Sequence, residues 1–341
     1  MTYLVENCIN FPPNSVLGKP KYLLTRFSSI GDIVLTTPII RCLKRQLQAE
    51  LHFITKPQFV EIVAANPYLS KCWSLDERSN QQITALNEEK FDAVIDLHNN
   101  LRSRKISLKL GIPSHRFNKL NIEKWMYVNF KYPLLPDIHI VDRYFQAYEK
   151  LGINNDGEGL DFFFDDSIGL YKKLPSEFYA IALGAAHFTK QIPESILLQI
   201  LSHVQLPVIL LGGPDESKLG QSLESKFDHV TNMAGLVNIP GSAKIITKSK
   251  FLVTPDTGMM HTAAALKKPT IVVWGSTAVP FGMYPYYGDQ DIPSFYSEVN
   301  NLSCRPCTKM GKSKCPKTHF KCMLDQNVDL LIKKIEEFFN S

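Results

Sequence analysis

Short apolar runs alternate with longer helical patterns along both halves of the chain. The apolar runs predict strands over residues 22–25, 51–54 and 93–97, and then over 179–183, 207–211, 251–253 and 270–274. Helical spacing predicts helices over 36–47, 59–65 and 328–339, with others starting near Glu194 and Glu216 and after Asp256. Strands that alternate with helices are typical of βαβ units, so the pattern predicts an α/β protein with a mainly parallel sheet in each half.

The chain has 341 residues, which is longer than a single hydrophobic core usually supports. We therefore predict a first domain over residues 1–165 and a second over 166–325. The segment 154–175 is rich in Asp, Gly and Lys and is the predicted seam. We expect the last helix, within 326–341, to pack back on the first domain.

Composition and cysteine content point to a protein of the cytoplasm. The first twenty residues contain Glu6 and no apolar run after a basic start, so they resemble neither a signal peptide nor a membrane anchor. Seven cysteines, an odd number, argue against a secreted disulfide scaffold. The net charge of +5 is too small for a dedicated nucleic-acid binder but suits an anionic substrate or membrane surface.

The positive charge is concentrated between His98 and Lys131. Eight basic residues in this stretch face one acid, Glu123. A solvated face without a partner and a site for an anionic ligand both remain open interpretations. Nucleic-acid binding is a third interpretation, but the stretch lacks the alternation of aromatic and basic residues that known modules use.

Polar residues follow several predicted strands, at the edge where open α/β sheets bind ligands. Asp32 follows the first strand, near the start of a helix, and suits either a general base or a helix-capping acid. The loop 184–193 has small residues and Lys190, which suits a phosphate or an ordinary surface loop. Gly212 and Gly213 permit close approach of a ligand. No Gly-x-Gly-x-x-Gly or Gly-x4-Gly-Lys-Ser/Thr motif occurs, which weakens dehydrogenase and nucleotide-hydrolase interpretations.

The strongest cluster is Asp256-Thr257-Gly258-Met259-Met260-His261. A strand runs into a turn of small residues that opens a helix, so free N–H groups and the positive end of the helix dipole can bind a diphosphate. Asp256 suits a helix cap or a contact to sugar hydroxyls, and Lys190 or His261 is expected to compensate its charge. A buried, hydrogen-bonded core histidine is the alternative for His261.

With these motifs the sequence resembles glycosyltransferase family 9, the ADP-heptose:lipopolysaccharide heptosyltransferases. The resemblance spans most of the chain and is carried by the following segments of the sequence: 26–38, 55–57, 96–103, Lys190, 212–216, 232–235 and 256–261. It implies a GT-B fold, which consists of two facing Rossmann-like domains with an active-site cleft between them. It also implies acceptor binding by the first domain, donor binding by the second, and inversion at the anomeric carbon without a divalent metal.

The resemblance assigns roles residue by residue. Asp32 would be the catalytic base, and Lys190 would neutralise the departing diphosphate. Donor contacts would come from Thr189, Lys190, Gly213, Glu216, Met233, Ala234, Gly235, Asp256, Thr257, Gly258, Met259 and His261. Acceptor contacts would come from Ser28, Ser29, Gly31, His98, Asn99, Arg102, Arg104 and Lys105. The implied partners are ADP-heptose and an anionic lipid A or core oligosaccharide, with peripheral contact to the cytoplasmic face of the inner membrane.

Some interpretations stay open. Four cysteines lie near the C-terminal end of the chain, and the first two are at zinc-knuckle spacing: Cys304, Cys307, Cys315 and Cys322. They suit a structural zinc, free thiols or disulfides. No cofactor is implied for catalysis. A transferase or epimerase with another sugar nucleotide is an alternative function. A non-catalytic protein that binds sugar nucleotides or lipids is another.

Overall fold

The computed structural model describes residues 19–76, 80–170 and 172–341. Two parallel β-sheets organise this part of the chain, one in each half. The first sheet contains β1 (Lys21–Thr25), β2 (Glu50–Thr55), β3 (Lys71–Ser74), β4 (Ala93–Asp96) and β5 (Ser114–Arg116). The second contains β6 (Tyr179–Ala182), β7 (Val208–Leu211), β8 (Val230–Asn232), β9 (Leu252–Pro255), β10 (Thr270–Trp274) and β11 (Ser294–Glu298). The predicted α/β class is confirmed.

Helices connect the strands in both halves. Those of the first half are α1 (Ile30–Val34), α2 (Thr37–Leu47), α3 (Val60–Val63), α4 (Asn80–Glu88), α5 (Leu101–Leu110), α6 (Asn121–Phe130) and α7 (Ile140–Tyr148). Those of the second half are α8 (Glu194–His203), α9 (Ser217–Glu224), α10 (Ile239–Lys248), α11 (Gly258–Ala265), α12 (Lys321–Leu324) and α13 (Val328–Asn340). No helix among the described residues is long and apolar enough to span a lipid bilayer.

The strand order places a ligand-binding crevice in each sheet. The first sheet runs β3-β2-β1-β4-β5, so the direction of the connections reverses between β1 and β4. The second sheet runs β11-β10-β9-β6-β7-β8 and reverses between β9 and β6. Ligands bind beyond the carboxyl ends of strands at such reversals. The segments after β1, β6 and β9 are therefore the expected walls of a site.

Both sheets are covered on two faces, which is why their strands are continuous apolar runs instead of alternating patterns. Alternate residues of β1 enter different cores: Leu24 packs with the residues of α2 and α7, and Leu23 packs with those of α4 and α5. In β6, Ile181 and Ala180 divide in the same way between two further cores. The core that contains Leu24 also contains Ala264 of α11, so the two halves share buried surface.

The connection between the halves is held by Arg41 of α2. Its side chain is fully buried and pairs with Asp156 at 2.6 Å and with Asp161, and it also donates to the carbonyl oxygen of Gly159. Two carboxylates on one buried guanidinium satisfy its charge and most of its donors. These contacts fix the start of the connection against the first half.

The last helix corrects one expectation. Helix α13 was expected to return to the first domain, but its buried residues Leu331, Ile335 and Phe339 join the core of the second sheet. Phe339 packs edge-to-face on Tyr179 of β6, with ring centroids 6.4 Å apart. The apolar stripe of α13 packs beside α8 in the core of the second sheet, so it is buried within the second half.

Candidate active site

A cavity of about 800 Å³ lies between the two halves, beyond the carboxyl ends of β1, β6, β7 and β9. The first half contributes Ser29, Ile30, Gly31, Asp32, Phe59 and Glu61 to its wall. The second half contributes residues of its strand-end loops and helix starts: Ala182, 184–186, Lys190, 211–216, 235–239, Ser242, 256–259, His261 and Met283. Both crevices of the fold therefore open into one cleft.

Asp32 lies in the first turn of α1, on the wall from the first half. Its Oδ1 is 2.5 Å from a guanidinium nitrogen of Arg26, and its Oδ2 accepts hydrogen bonds from the backbone N–H and the hydroxyl of Ser29 at 3.1 and 3.0 Å. Burial alone would raise the pKa of Asp32, but Arg26 and Ser29 lower it to about 2. Asp32 is therefore an ionised carboxylate at neutral pH.

Two glycines allow the starts of α1 and α11 to meet across the cleft. A Cβ atom on Gly31 would lie 2.5 Å from Cδ2 of His261, and one on Gly258 would lie 2.6 Å from Cβ of Ile30. Thr257 precedes α11 with an extended backbone and no side-chain capping bond. The first N–H groups of a helix mostly lack partners inside the helix, and in α11 the first turn lines the cavity next to α1.

Lys190 and Asp256 form an ion pair at 2.8 Å, which is the charge compensation that the sequence predicted for Asp256. The same carboxylate oxygen accepts a hydrogen bond from Thr277 at 2.7 Å. His261 is a buried residue of the cavity wall, and its Nδ1 has no partner among the described residues. Burial lowers the pKa of His261 to about 4, against the opposing charges of Asp256 and Asp32. The imidazole is neutral at pH 7.

Glu216 forms another part of the cavity wall. Its carboxylate accepts the backbone N–H of Gly213 at 2.8 Å and lies so close to Gly184 that a Cβ atom there would come within 2.7 Å of it. A Cβ atom on Gly212 would lie 2.8 Å from Cβ of Glu216. The glycines of two strand-end loops therefore hold one carboxylate against the cavity wall, where it can accept hydrogen bonds from a diol.

Three of the residues suggested for donor contacts lie behind the wall. Met233 and Ala234 are fully buried in the cores of the second half, while Gly235 lines the cavity with φ +75°. The hydroxyl of Thr189 is buried and accepts hydrogen bonds from Ser276 and from the backbone N–H of Lys312, at 2.9 and 2.8 Å. Thr189 therefore supports the loop that carries Lys190 and does not face the cavity.

The residues suggested for acceptor contacts divide in a similar way. Ser29 and Gly31 line the cavity, and Ser28 is adjacent to them. His98 packs on Phe27, with ring centroids 4.9 Å apart, and its pKa is lowered to about 3 by burial and by Arg26. The side-chain amide of Asn99 donates a hydrogen bond to the carbonyl oxygen of Phe117. Arg102, Arg104 and Lys105 are exposed on α5, away from the cavity wall.

Several wall residues were missed by the sequence interpretation. These are Phe59 and Glu61 from the first half, and Leu236, Val237, Asn238, Ile239, Ser242 and Met283 from the second. Glu61 and Asn238 join the two halves through a hydrogen bond of 2.9 Å. The ion pair of Arg26 with Asp32 was missed as well. Its signal was an arginine directly after a buried strand, where a charge needs a partner.

The four C-terminal cysteines lie in one region but do not converge as a ready metal site. Cys304 Sγ is 3.7 Å from Nε2 of His319, and burial with the neighbouring thiols raises the pKa of Cys307. In the part of the chain that the structure describes, Glu50, His52 and Glu89 are the group of three metal-ligating side chains that come within 4.8 Å of one another. Lys21 bridges both of these glutamates, at 2.9 and 2.6 Å, and supplies the positive charge itself. The structural zinc stays a prediction.

The two sheets, their facing strand ends and the cleft between them form the GT-B fold. A sequence profile described as glycosyltransferase family 9 (heptosyltransferase) matches residues 81–317, which is well over half of the chain. The chain belongs to this family. The predictions of family, fold class and enzyme class are thereby confirmed.

Individual relatives agree with this assignment. The chain is 24% identical over 327 residues to lipopolysaccharide heptosyltransferase 1 of Pseudomonas aeruginosa, covering 85% of this chain and 86% of the relative. The fold of this chain is similar to that of Escherichia coli ADP-heptose lipopolysaccharide heptosyltransferase II, with a TM-score of 0.67 and 17% identity, covering 94% of this chain and 98% of the other. It is also similar to E. coli heptosyltransferase WaaC with ADP, with a TM-score of 0.66, 20% identity and coverage of 93% and 99%.

Proposed function

We propose that the protein transfers a heptose, or a related sugar, from ADP-heptose to an inner-core acceptor of lipopolysaccharide, with inversion and without a divalent metal. The names of the relatives supply the donor and the acceptor class. The observation that carries the proposal is the meeting of Asp32 with the start of α11 and Lys190 in one cleft. A base and a leaving-group site on opposite walls are what a single displacement needs.

The acceptor half of the reaction is assigned to Asp32. The acceptor oxygen attacks the anomeric carbon, its proton passes to Asp32, and the bond from that carbon to the diphosphate oxygen breaks with its electron pair. Attack opposite the leaving group inverts the configuration. Because Arg26 and Ser29 lower the pKa of Asp32 to about 2, the carboxylate is ionised at neutral pH but is a weak base in this arrangement. We infer that an acceptor hydroxyl takes over part of its hydrogen bonding before proton transfer.

The donor half is assigned to α11, Lys190 and Glu216. Charge grows on the departing ADP, and the leading N–H groups of α11 together with Lys190 are positioned to stabilise it. Lys190 is preoriented by Asp256, and neutral His261 adds a hydrogen-bonding group without a competing charge. Glu216, in the cavity wall after β7, suits the hydroxyls of the ribose. These fixed donors and the lysine supply the electrophilic charge that a metal provides in other transferases.

We also propose that the first domain (1–165) binds the acceptor, that the second (166–325) binds the donor, and that the protein is cytoplasmic and contacts the inner membrane through α5 and α6. Both helices expose apolar side chains: Leu101 and Leu108 on α5, and Ile122, Trp125 and Phe130 on α6. Exposed cations accompany them: Arg102, Arg104, Lys105 and Lys109. Aromatic side chains among basic residues suit the interface of an anionic bilayer, which is where a lipid-linked acceptor is presented. Flotation with anionic but not with neutral vesicles, lost in Trp125→Ser, is the expected result.

The test of the function is a donor screen with product analysis. Purified protein is mixed with ADP-, UDP- and GDP-linked heptose and a deacylated core acceptor that lacks heptose, with and without EDTA. The expected product carries one added heptose with inverted anomeric configuration by NMR, from the ADP donor alone and without an effect of EDTA. Turnover of a UDP-sugar, epimerisation of the donor, or tight ADP-heptose binding without transfer to any core acceptor would each replace this proposal with one of the alternatives.

A further inference from the structure

A long loop of the second half, residues 299–320, connects β11 to α12 and carries three of the four C-terminal cysteines. We call this segment the cysteine loop. It contains neither helix nor strand over its whole length, all of which the structure describes. Loops longer than about 12–15 residues without secondary structure are uncommon in compact domains, and they usually have a functional role. The contacts of the cysteine loop with the loop 184–193, which carries Lys190, indicate what that role is.

Thr189 is the residue at which the cysteine loop meets the Lys190 segment. Its backbone N–H donates to the carbonyl oxygen of Lys312 at 3.1 Å, and its hydroxyl accepts the backbone N–H of Lys312 at 2.8 Å. Ser276 adds two bonds, from its backbone N–H to the carbonyl oxygen of Thr189 at 3.3 Å and from its hydroxyl to Oγ1 of Thr189 at 2.9 Å. Both Thr189 and Ser276 are buried, so water does not compete for these bonds. The backbone that leads into Lys190 is therefore fixed by the cysteine loop and by Ser276.

The residue after Ser276 holds the partner of Lys190. Thr277 donates to Oδ2 of Asp256 at 2.7 Å, and the same oxygen pairs with Lys190 at 2.8 Å. Two consecutive residues therefore fix both members of the ion pair, Ser276 through the residue before Lys190 and Thr277 through Asp256. The cysteine loop supports this segment as well, because the backbone N–H of Cys307 donates to the carbonyl oxygen of Ser276 at 3.1 Å. A displacement of the cysteine loop would disturb Lys190 from both sides.

Close packing on either side of Lys312 keeps the cysteine loop in this place. Gly311 lies so close to the loop 184–193 that a Cβ atom on it would come within 2.6 Å of Cβ of His187. Phe320, at the end of the cysteine loop, stacks on Phe188 with ring centroids 5.0 Å apart. The residues that touch Gly311 and Phe320 are the two that precede Thr189 in the chain. The cysteine loop is therefore packed against the Lys190 segment as well as hydrogen-bonded to it.

We propose that the cysteine loop positions Lys190 for the departing diphosphate, and that Thr189 is the positioning residue through which it acts. Thr189 is not part of the cavity wall, so it reaches the ligand only through Lys190. A lysine side chain has a flexible stem, and its stabilisation of growing charge depends on being held in place beforehand. The inference rests on the proposed function, since it requires Lys190 at the leaving group.

The first test removes the hydroxyl of Thr189 and keeps its shape. Thr189→Val leaves two buried donors without their acceptor, the N–H of Lys312 and the hydroxyl of Ser276. We expect kcat for sugar transfer to fall roughly 10- to 100-fold, with the acceptor KM unchanged, because a misplacement of about 1 Å in a catalytic group has an effect of this size. Thr189→Ser retains the hydroxyl and should restore kcat.

The matched control is Thr231→Val in β8, since Thr231 lies outside the cavity wall. This variant should have native kinetics. A native kcat in Thr189→Val, or a kcat in Thr189→Ser as low as that of Thr189→Val, would overturn the proposal.

A double-mutant cycle determines whether Thr189 acts through Lys190. In a Lys190→Ala background, Thr189→Val should slow transfer by less than about two-fold, because the side chain that Thr189 positions is already gone. A further loss in the double variant as large as the loss from Thr189→Val alone would contradict the positioning role.

A second variant tests the cysteine loop itself. Gly311 has φ +105°, and an added Cβ would collide with His187, so Gly311→Ala should displace the loop and lower kcat as Thr189→Val does. Its control is Gly111→Ala, since Gly111 also has a positive φ, of +65°, but an added Cβ there meets nothing within 4 Å. Equal kcat values for the two alanine variants would count against the loop.

Hydrogen exchange keeps the inference distinct from the proposed function, because it needs neither donor nor acceptor. Amides of residues 184–193 should exchange faster in Thr189→Val and in Gly311→Ala than in the native protein, while amides of β7 and β9 exchange at native rates. This result supports the positioning of Lys190 by the cysteine loop even when no heptose transfer is found. Native exchange of residues 184–193 in both variants contradicts it even when transfer proceeds.

Discussion

Replacing Gly31 by alanine tests whether catalysis requires the close contact between α1 and α11. The added Cβ would lie 2.5 Å from Cδ2 of His261 and 3.2 Å from Cα of Gly258. Only 3% of the surface of His261 is exposed, so its ring has little room to turn aside. Restoring an ordinary carbon–carbon separation of about 3.5 Å requires a shift of roughly 1 Å between the two halves. Overpacking of this kind costs about 1–3 kcal/mol.

This free-energy cost should disfavour the conformation in which α1 and α11 are in contact. A penalty of about 2 kcal/mol reduces the population of that arrangement about thirty-fold. We therefore expect kcat/KM for sugar transfer to fall roughly 10- to 100-fold in Gly31→Ala, with an ADP dissociation constant within a few-fold of native, since ADP is assigned to the second half. Steady-state kinetics and calorimetric titration with ADP measure the two quantities.

The matched control is Gly169→Ala, where an added Cβ meets nothing within 4 Å. This variant should keep native kinetics and a native Tm. Equal kcat/KM values for Gly31→Ala and Gly169→Ala would contradict a catalytic need for this contact, as would a loss of ADP binding in Gly31→Ala equal to its loss of transfer.

Three further predictions follow from the contacts described above. Arg41→Leu leaves two partly buried carboxylates without their cation, so it should lower the free energy of unfolding by about 3 kcal/mol or more. Arg45 lies on the same helix but is half exposed, so Arg45→Leu should lower it by less than about 1 kcal/mol. Urea unfolding measures both values. The folded-state pKa of about 4 for His261 lies below the usual value of about 6.5, so the unfolded state binds the additional proton and stability should fall as pH drops from about 6.5 to 4, with a shallower slope in His261→Gln. Glu216→Gln should raise the ADP-heptose KM about ten-fold and leave the acceptor KM unchanged, and equal effects on both would contradict its place on the donor side.

The sequence predicted the central strands because their apolar runs are buried on both faces. It missed all four edge strands, whose residues are largely polar or part-exposed: β3 (Lys71–Ser74), β5 (Ser114–Arg116), β8 (Val230–Asn232) and β11 (Ser294–Glu298). An edge strand is set by hydrogen bonds to its neighbour and carries little pattern of its own. The destination of α13 was predicted wrongly for a related reason. An apolar stripe reveals that a helix packs, but the partner depends on which sheet face is left uncovered.

The candidate site was predictable where one local motif carries the chemistry. Asp32, Lys190 and the 256–261 turn follow strands directly, and the cavity joins them. Met233 and Ala234 were adjacent in sequence to a wall residue, but the turn at Gly235 directs them into the core. The wall residues Glu61 and Asn238 come from positions far apart in the chain, and the hydrogen bond between them depends on how the two halves pack together. No local pattern contains that information.

In the proposed reaction, Asp32 takes the proton of the acceptor hydroxyl while the second half holds ADP. The most direct measurement is the single-turnover rate of heptose transfer by Asp32→Asn, with ADP-heptose and acceptor both saturating, alongside the ADP dissociation constant and the Tm. Loss of a positioned base should slow transfer by roughly 10²- to 10⁴-fold, with ADP binding close to native. A rate within ten-fold of native in a folded, ADP-binding variant would contradict the assignment of Asp32 as the base.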